Sequence, residues 1–292
     1  MYNGAAFERA GAGYLRCTDK SNIKNHRGYC VRRVWALRAW SALAPGLQTS
    51  AHWQQWAQQP VWPCGEVALD LSHIPAMARR RLGPQAKWAV SVADAVLAHA
   101  AQPDLPVVWA SRYGDAEKSL ALLQDQAAGE PLSPTAFGLS VHNGIGAQHS
   151  ILRGMRSNAV CIASAHAAPE AGVVEALGLL CEGAPEVMLV CYDAPLPAPY
   201  DRFHDEPALP WAWAALLALA APGEAGFALH AQPIAAPENS SENTLPRLPH
   251  ALEVLQFLLQ EEQSALHCPQ ARAGQSGALA SAGSWLWERC HG

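Results

Sequence analysis

Residues 156–193 read RSNAVCIASAHAAPEAGVVEALGLLCEGAPEVMLVCYD. The stretch opens on a short apolar run, Ala159 to Ser164, with the composition of a strand. Pro169 then falls where a helix tolerates proline, in the first turn, whose N–H groups have no intrahelical acceptor. Ala171 to Cys181 continues as an apolar helix that stops near Gly183, and Glu186 to Asp193 forms a second apolar run. Neither run alternates polar with apolar residues, which predicts strands buried on both faces, as in the interior of a helix-covered sheet.

The same strand–helix rhythm extends in both directions. Upstream, Val34 to Ala44 reads as a buried strand closed by a Pro45-Gly46 turn. Thr49 or Ser50 caps a short helix carrying Trp53 and Trp56 on one face. A long helical pattern runs from Ile74 to His99, a strand from Leu105 to Ala110, and a helix from Asp115 that Gly129 breaks. A helix of small residues is expected near Ser140 to Leu152. Downstream, Trp211 to Leu219 and Phe227 to Ala231 read as a pair of strands. A Pro/Asn/Ser-rich loop (233–246) precedes a helix from Leu248 to Gln260, and Trp285-Leu286-Trp287 reads as a short terminal strand. Strands alternating with helices define an α/β fold with a mixed or parallel sheet. Residues 1–31 are Gly- and Asn-rich without apolar periodicity and read as a disordered leader. Residues 32–292 read as one domain with a short C-terminal extension.

Composition narrows the function. Half of the 292 residues are hydrophobic, 15% are charged, and the formal net charge is -5. A mildly acidic chain without clustered Lys and Arg does not suit nucleic acid. The longest apolar stretch, Ala208 to Ala221, is shorter than the ~20 residues a spanning helix needs, so no membrane span is expected. The eight cysteines form no C-x-x-C pair, and no His pair has zinc-ligand spacing, so neither a metal nor another cofactor is expected. Free thiols point to a reducing, cytoplasmic setting.

The quoted segment resembles the nucleophile region of β-ketoacyl-ACP synthases: an apolar strand ending in small residues, a cysteine, a helix closed by Gly, an acidic turn and an apolar strand. Counting back from Gly183 puts His166 at the position of that family's cysteine, with Ser164-Ala165 at its Thr-Ala or Ser-Ala. Three further blocks agree in order and spacing: Arg32 to Gly46 followed by Trp53, Ile74-Pro75 with Arg79-Arg80-Arg81, and Ser133-Pro134 through Asn143 to Ile151. The resemblance covers about residues 32–232, the N-terminal half of a ketosynthase, and is most marked to the shortened chain-length-factor subunits of aryl polyene and xanthomonadin-type pathways. It implies a thiolase-like half domain with a mixed five-stranded sheet covered by helices, acting as partner to a full-length ketosynthase and meeting an acyl carrier protein.

A condensing enzyme needs a nucleophile that carries the acyl group as a thioester, and a thiolate at a helix N-terminus is activated for that role. The imidazole of His166 cannot form the thioester. The reading is therefore a vestigial nucleophile position and a subunit without condensing activity of its own. By resemblance, Ala136, Phe137 and Leu139 reach toward the partner's acyl tunnel, and His142, Asn143, Ser164 and His166 lie at or near the subunit interface. Arg79 to Arg81 suit an acidic carrier protein, a solvated helix start being the simpler account. Two alternatives remain open: a homodimeric scaffold that binds acyl carrier protein, and an acyl hydrolase using Ser164, His166 and Asp193. Against the hydrolase, Ser164 lacks a G-x-S-x-G elbow.

Overall fold

The computed structural model describes residues 33–164, 166–232, 248–269 and 284–291. The proposed leader 1–31, the loop 233–246 and most of the Gly/Ser/Ala-rich tail lie outside the described residues.

The chain order is β1 (Trp35–Leu43), α1 (Ser50–Gln58), α2 (Ala76–Arg81), α3 (Pro84–Leu97), β2 (Val107–Ala110), α4 (Ala116–Ala128), α5 (Pro134–Ser140), α6 (Gly144–Arg153), β3 (Ala159–Ile162), α7 (Ala168–Cys181), β4 (Val187–Asp193), a 3-10 turn (Ala198–Phe203), β5 (Trp211–Leu219), β6 (Gly226–Gln232), α8 (His250–Leu259), β7 (Ala265–Pro269) and β8 (Ser284–Cys290). Among the described residues eight strands form one sheet, in the order β3-β2-β4-β5-β1-β6-β8-β7. β2 runs parallel to β3 and β4, and the remaining ladders are antiparallel.

The apolar runs have the expected cause. Side chains alternate across the sheet, and here both faces are covered. Val107, Trp109, Met188, Val190, Tyr192, Ala212, Ala214 and Leu216 pack on one face with Ala86, Ala89, Val90 and Ala93 of α3. Val108, Leu189, Cys191, Trp213, Ala215 and Leu217 pack on the other with α7 and α8. The α7 helix lies very close to the sheet: a Cβ added at Gly172 would stand 2.5 Å from Leu189 Cδ1 and 3.3 Å from Ala110 Cβ. Thr49 caps α1, accepting from His52 N–H, and Trp53 and Trp56 are both buried.

Several boundaries depart from expectation. The Ile74–His99 pattern divides into α2 and α3, with Leu82 extended and Pro84 starting the second helix, because Pro84 has no N–H to continue a helical ladder and holds Gly83 extended. The single helix expected at Ser140 to Leu152 is α5 and α6, separated at Val141 to Asn143. The strands β5 and β6 do not pair with each other, since β1 lies between them and pairs with both. The expected five-stranded mixed sheet is present as β3-β2-β4-β5-β1, and β6, β8 and β7 extend it to eight strands. Among the described residues no helix is long and apolar enough to cross a membrane.

Candidate functional site

His166 lies between β3 and α7, two residues before the helix begins, and Ala167 and Ala168 behind it are buried. Its Nδ1 is 3.1 Å from Asp205 Oδ2, and the imidazole remains about a third exposed, at 34%. Asp205 belongs to the connection between the 3-10 turn and β5. Arg112, just past β2, binds it from the other side, with Nη2 2.6 Å from Asp205 Oδ1 and Nη1 2.9 Å from Glu206 Oε1. Burial works against the Arg112 charge, and Glu206 and Asp205 outweigh it, so the guanidinium is held above its ordinary value.

Behind this pair, Asp193 at the end of β4 organises the loop that carries Arg112. Its carboxyl accepts from Ser111 Oγ at 2.8 Å and from the N–H groups of Arg112 and Tyr113 at 3.0 and 3.3 Å. Burial nevertheless pushes the Asp193 carboxyl up to about 7, more than these donors and the Arg112 charge lower it. His142 joins the same loop, with Nε2 3.1 Å from the Ser111 carbonyl oxygen.

This arrangement departs from the Ser164–His166–Asp193 triad. Asp193 engages Ser111, and His166 engages Asp205. Among the described residues no hydrogen bond joins Ser164 to either partner. The other thiol in this region, Cys161, lies within β3, where burial raises it to about 11; such a thiol supplies little thiolate near neutral pH.

The residues expected at the interface occupy neighbouring elements. Ala136 and Leu139 in α5 are half-buried, Phe137 is 65% exposed, and Asn143 stands exposed at the start of α6. Val141 and Ile151 add exposed apolar surface, Ile151 at 80%. Beside them β3 is the terminal strand of the sheet. In α2, Arg80 and Arg81 are exposed, whereas Arg79 donates to the Leu71 carbonyl.

A second histidine–carboxylate pair lies one turn into α7. Glu170 is fully buried. Its Oε1 accepts from Trp287 Nε1 at 2.8 Å and faces His250 Nε2 at 2.8 Å. Burial disfavours the charged imidazole, but Glu170 and Glu253 outweigh it and lift His250 to about 9. Cys268 completes a group in which one ligand atom each of Glu170, His250 and Cys268 lies within 4.8 Å of the others. The backbone N–H of His250 donates to Glu206 Oε2 at 3.0 Å, which links this group to Arg112 and Asp205.

Arg112, Asp205, Glu206, Glu170 and His250 were not singled out from sequence. One signal was present: His204-Asp205-Glu206 is a polar, charged triplet placed directly before the most apolar strand of a weakly charged chain.

The chain matches the family profile of the β-ketoacyl synthase N-terminal domain over residues 53–275. It belongs to the β-ketoacyl synthase family through that domain. Its fold is the thiolase-like ketosynthase fold. Among solved structures, it is similar to a chain of the ketosynthase (ApeO) in complex with its chain length factor (ApeC) from Xenorhabdus doucetiae. The identity is 27% and the TM-score 0.70, covering 88% of this chain and 99% of that one. The ishigamide ketosynthase/chain length factor (14% identity, TM-score 0.54, 68% and 67% covered) shares the fold. So does a β-ketoacyl synthase from Burkholderia phymatum STM815 (12%, 0.51, 64% and 59%). No significant match to a curated protein was found. The family match runs on to residue 275, past the 32–232 traced from motifs, and so takes in α8 and β7.

Proposed function

We propose that this chain is the non-catalytic, chain-length-factor-type subunit of a heterodimeric β-ketoacyl synthase. The observation that supports this reading is the imidazole of His166 at the mouth of α7, engaged by Asp205 at 3.1 Å, which the sequence resemblance registers with the family's cysteine. Without sulfur there, no thioester forms and condensation cannot start. The nearby thiol of Cys161 is held protonated in β3.

What remains is a subunit built to pair. Terminal strands with unpaired backbone groups, and exposed large apolar side chains beside them, are features that partner surfaces use. Here β3, Phe137, Val141 and Ile151 offer both. The occupant is a full-length ketosynthase, in line with the 27% identity to a chain of a ketosynthase–chain length factor complex. In this pairing Ala136, Phe137 and Leu139 border the partner's acyl tunnel, so their bulk sets product length. His142, Asn143 and Ser164 belong to the joint. The complex works in the cytosol, and the partner performs the decarboxylative condensation of malonyl-ACP with an acyl or polyenoyl chain. Exposed Arg80 and Arg81 are the surface offered to the acidic carrier protein.

Co-expression with a cognate full-length ketosynthase tests the proposal. The expected result is a stable heterodimer on size exclusion and condensation only in its presence. Malonyl-ACP turnover by the isolated protein, abolished by His166→Ala, overturns it, as does a carrier-protein-binding homodimer with no affinity for a ketosynthase.

A further inference from the structure

The buried group around Glu170 has a feature that ordinary ion pairing does not explain. Glu170 Oε1 serves both His250 and Trp287. The other oxygen, Oε2, is buried and has no hydrogen-bond partner. An unsatisfied carboxylate oxygen in a core is costly, and a buried polar atom left this way needs an account, of which a bound ion is one. An imidazole nitrogen and a cysteine sulfur lie with the carboxylate inside a 4.8 Å span.

We propose that Glu170, His250 and Cys268 bind one zinc ion. The mixed oxygen, nitrogen and sulfur donor set suits Zn2+ and excludes Mg2+ and Ca2+, which take oxygen ligands. The surroundings already resemble an outer coordination shell. Trp287 Nε1–H holds Oε1 in place against His250 Nε2, and His250 Nδ1 faces Glu253 Oε2 at 3.6 Å. A ligating histidine typically gives its second ring N–H to such a carboxylate. Charge also balances: Glu170 and the Cys268 thiolate together neutralise a divalent ion, as a buried site requires. Binding displaces the proton between His250 and Glu170 and the thiol proton of Cys268, and both leave to solvent.

The three ligands come from α7, α8 and β7, so the ion fastens the C-terminal elements to the helix that begins behind His166. The inference goes beyond the subunit reading and does not depend on it.

The test uses the full, untagged chain, stripped with dipicolinate and then titrated with Zn2+. The expected result is one zinc per chain by plasma mass spectrometry and a Tm raised by about 5 °C over the stripped protein in excess zinc. Co2+ in its place gives a thiolate-to-cobalt charge-transfer band. Cys268→Ser removes that band and weakens zinc binding more than about tenfold, and Glu253→Gln, on a partly exposed side chain, weakens it about tenfold with little change in the stripped protein's melt. Absence of retained zinc with identical melts in zinc and chelator overturns the proposal. So does zinc held equally by the wild type and Cys268→Ser, which marks an adventitious ion on a surface thiol such as Cys64 or Cys181.

Discussion

The helix α7 meets two histidine–carboxylate pairs within one turn of its start, and they differ in almost everything except chemistry. His166 and Asp205 stand at the helix mouth, with the imidazole a third exposed. Glu170 and His250 lie one turn deeper, sealed by Trp287 and the α8 helix. Water screens the first pair, so its net contribution to stability is small, of the order of 0–1 kcal/mol. The second pair is desolvated, and loss of one member strands the other. The outer pair therefore fills a position at modest stability cost or gain, while the inner pair decides whether the C-terminal elements stay docked. Arg112 and Glu206 connect the two, through Asp205 on one side and the His250 backbone on the other.

The contrast can be broken from its strong end. In metal-free buffer Glu170→Ala removes the acceptor for both His250 and Trp287 and costs about 4–5 kcal/mol by urea denaturation; a loss below about 1 kcal/mol would erase the distinction between the pairs. Next comes pH. The folded carboxyl of Asp193 sits near 7 instead of its ordinary 3.8, so the native state binds the extra proton. The stabilisation is complete below about 4 and is lost as pH rises through 7, by at most about 4 kcal/mol. Asp193→Asn, which keeps an acceptor for the Arg112 and Tyr113 N–H groups, should flatten the stability profile between pH 4 and 8. A flat wild-type profile would show that the donors, not burial, control this carboxyl.

Arg112→Met leaves Asp205 and Glu206 facing each other without a cation at a site only about a tenth exposed. The expected loss is about 3 kcal/mol, and Arg112→Lys recovers only part of it because one ammonium cannot bind both carboxylates in a fork. The smallest effect belongs to His166→Asn, below about 1 kcal/mol, because it removes only the partly exposed member of the pair and leaves Asp205 on Arg112. A much larger loss there would make the helix-mouth pair structural.

Local pattern and distant pairing were not equally readable. The strands β4 and β5 and the helix α7 show plainly in the sequence, because double-sided burial writes long apolar runs. Neighbour order did not show. Trp211–Leu219 and Phe227–Ala231 are close in sequence and look like a hairpin, yet β1 enters between them, pairing Trp35 with both Leu219 and Phe227 far downstream. β7 has only the five residues ALHCP in a stretch of small and polar residues, too short to display a period. His166 was identified through its register with Gly183, and the structure does put it at the start of α7. Its partner Asp205 and the Glu170–His250–Trp287 group join positions tens of residues apart with no fixed spacing, so no local pattern announces them.

Intact-protein mass spectrometry of the assembled heterodimer after exposure to acyl-ACP tests the central claim most directly. The account predicts an acyl mass gain on the ketosynthase partner and an unmodified mass for this chain. An acyl adduct on this chain, whether on Cys161, Ser164 or another residue, would contradict it.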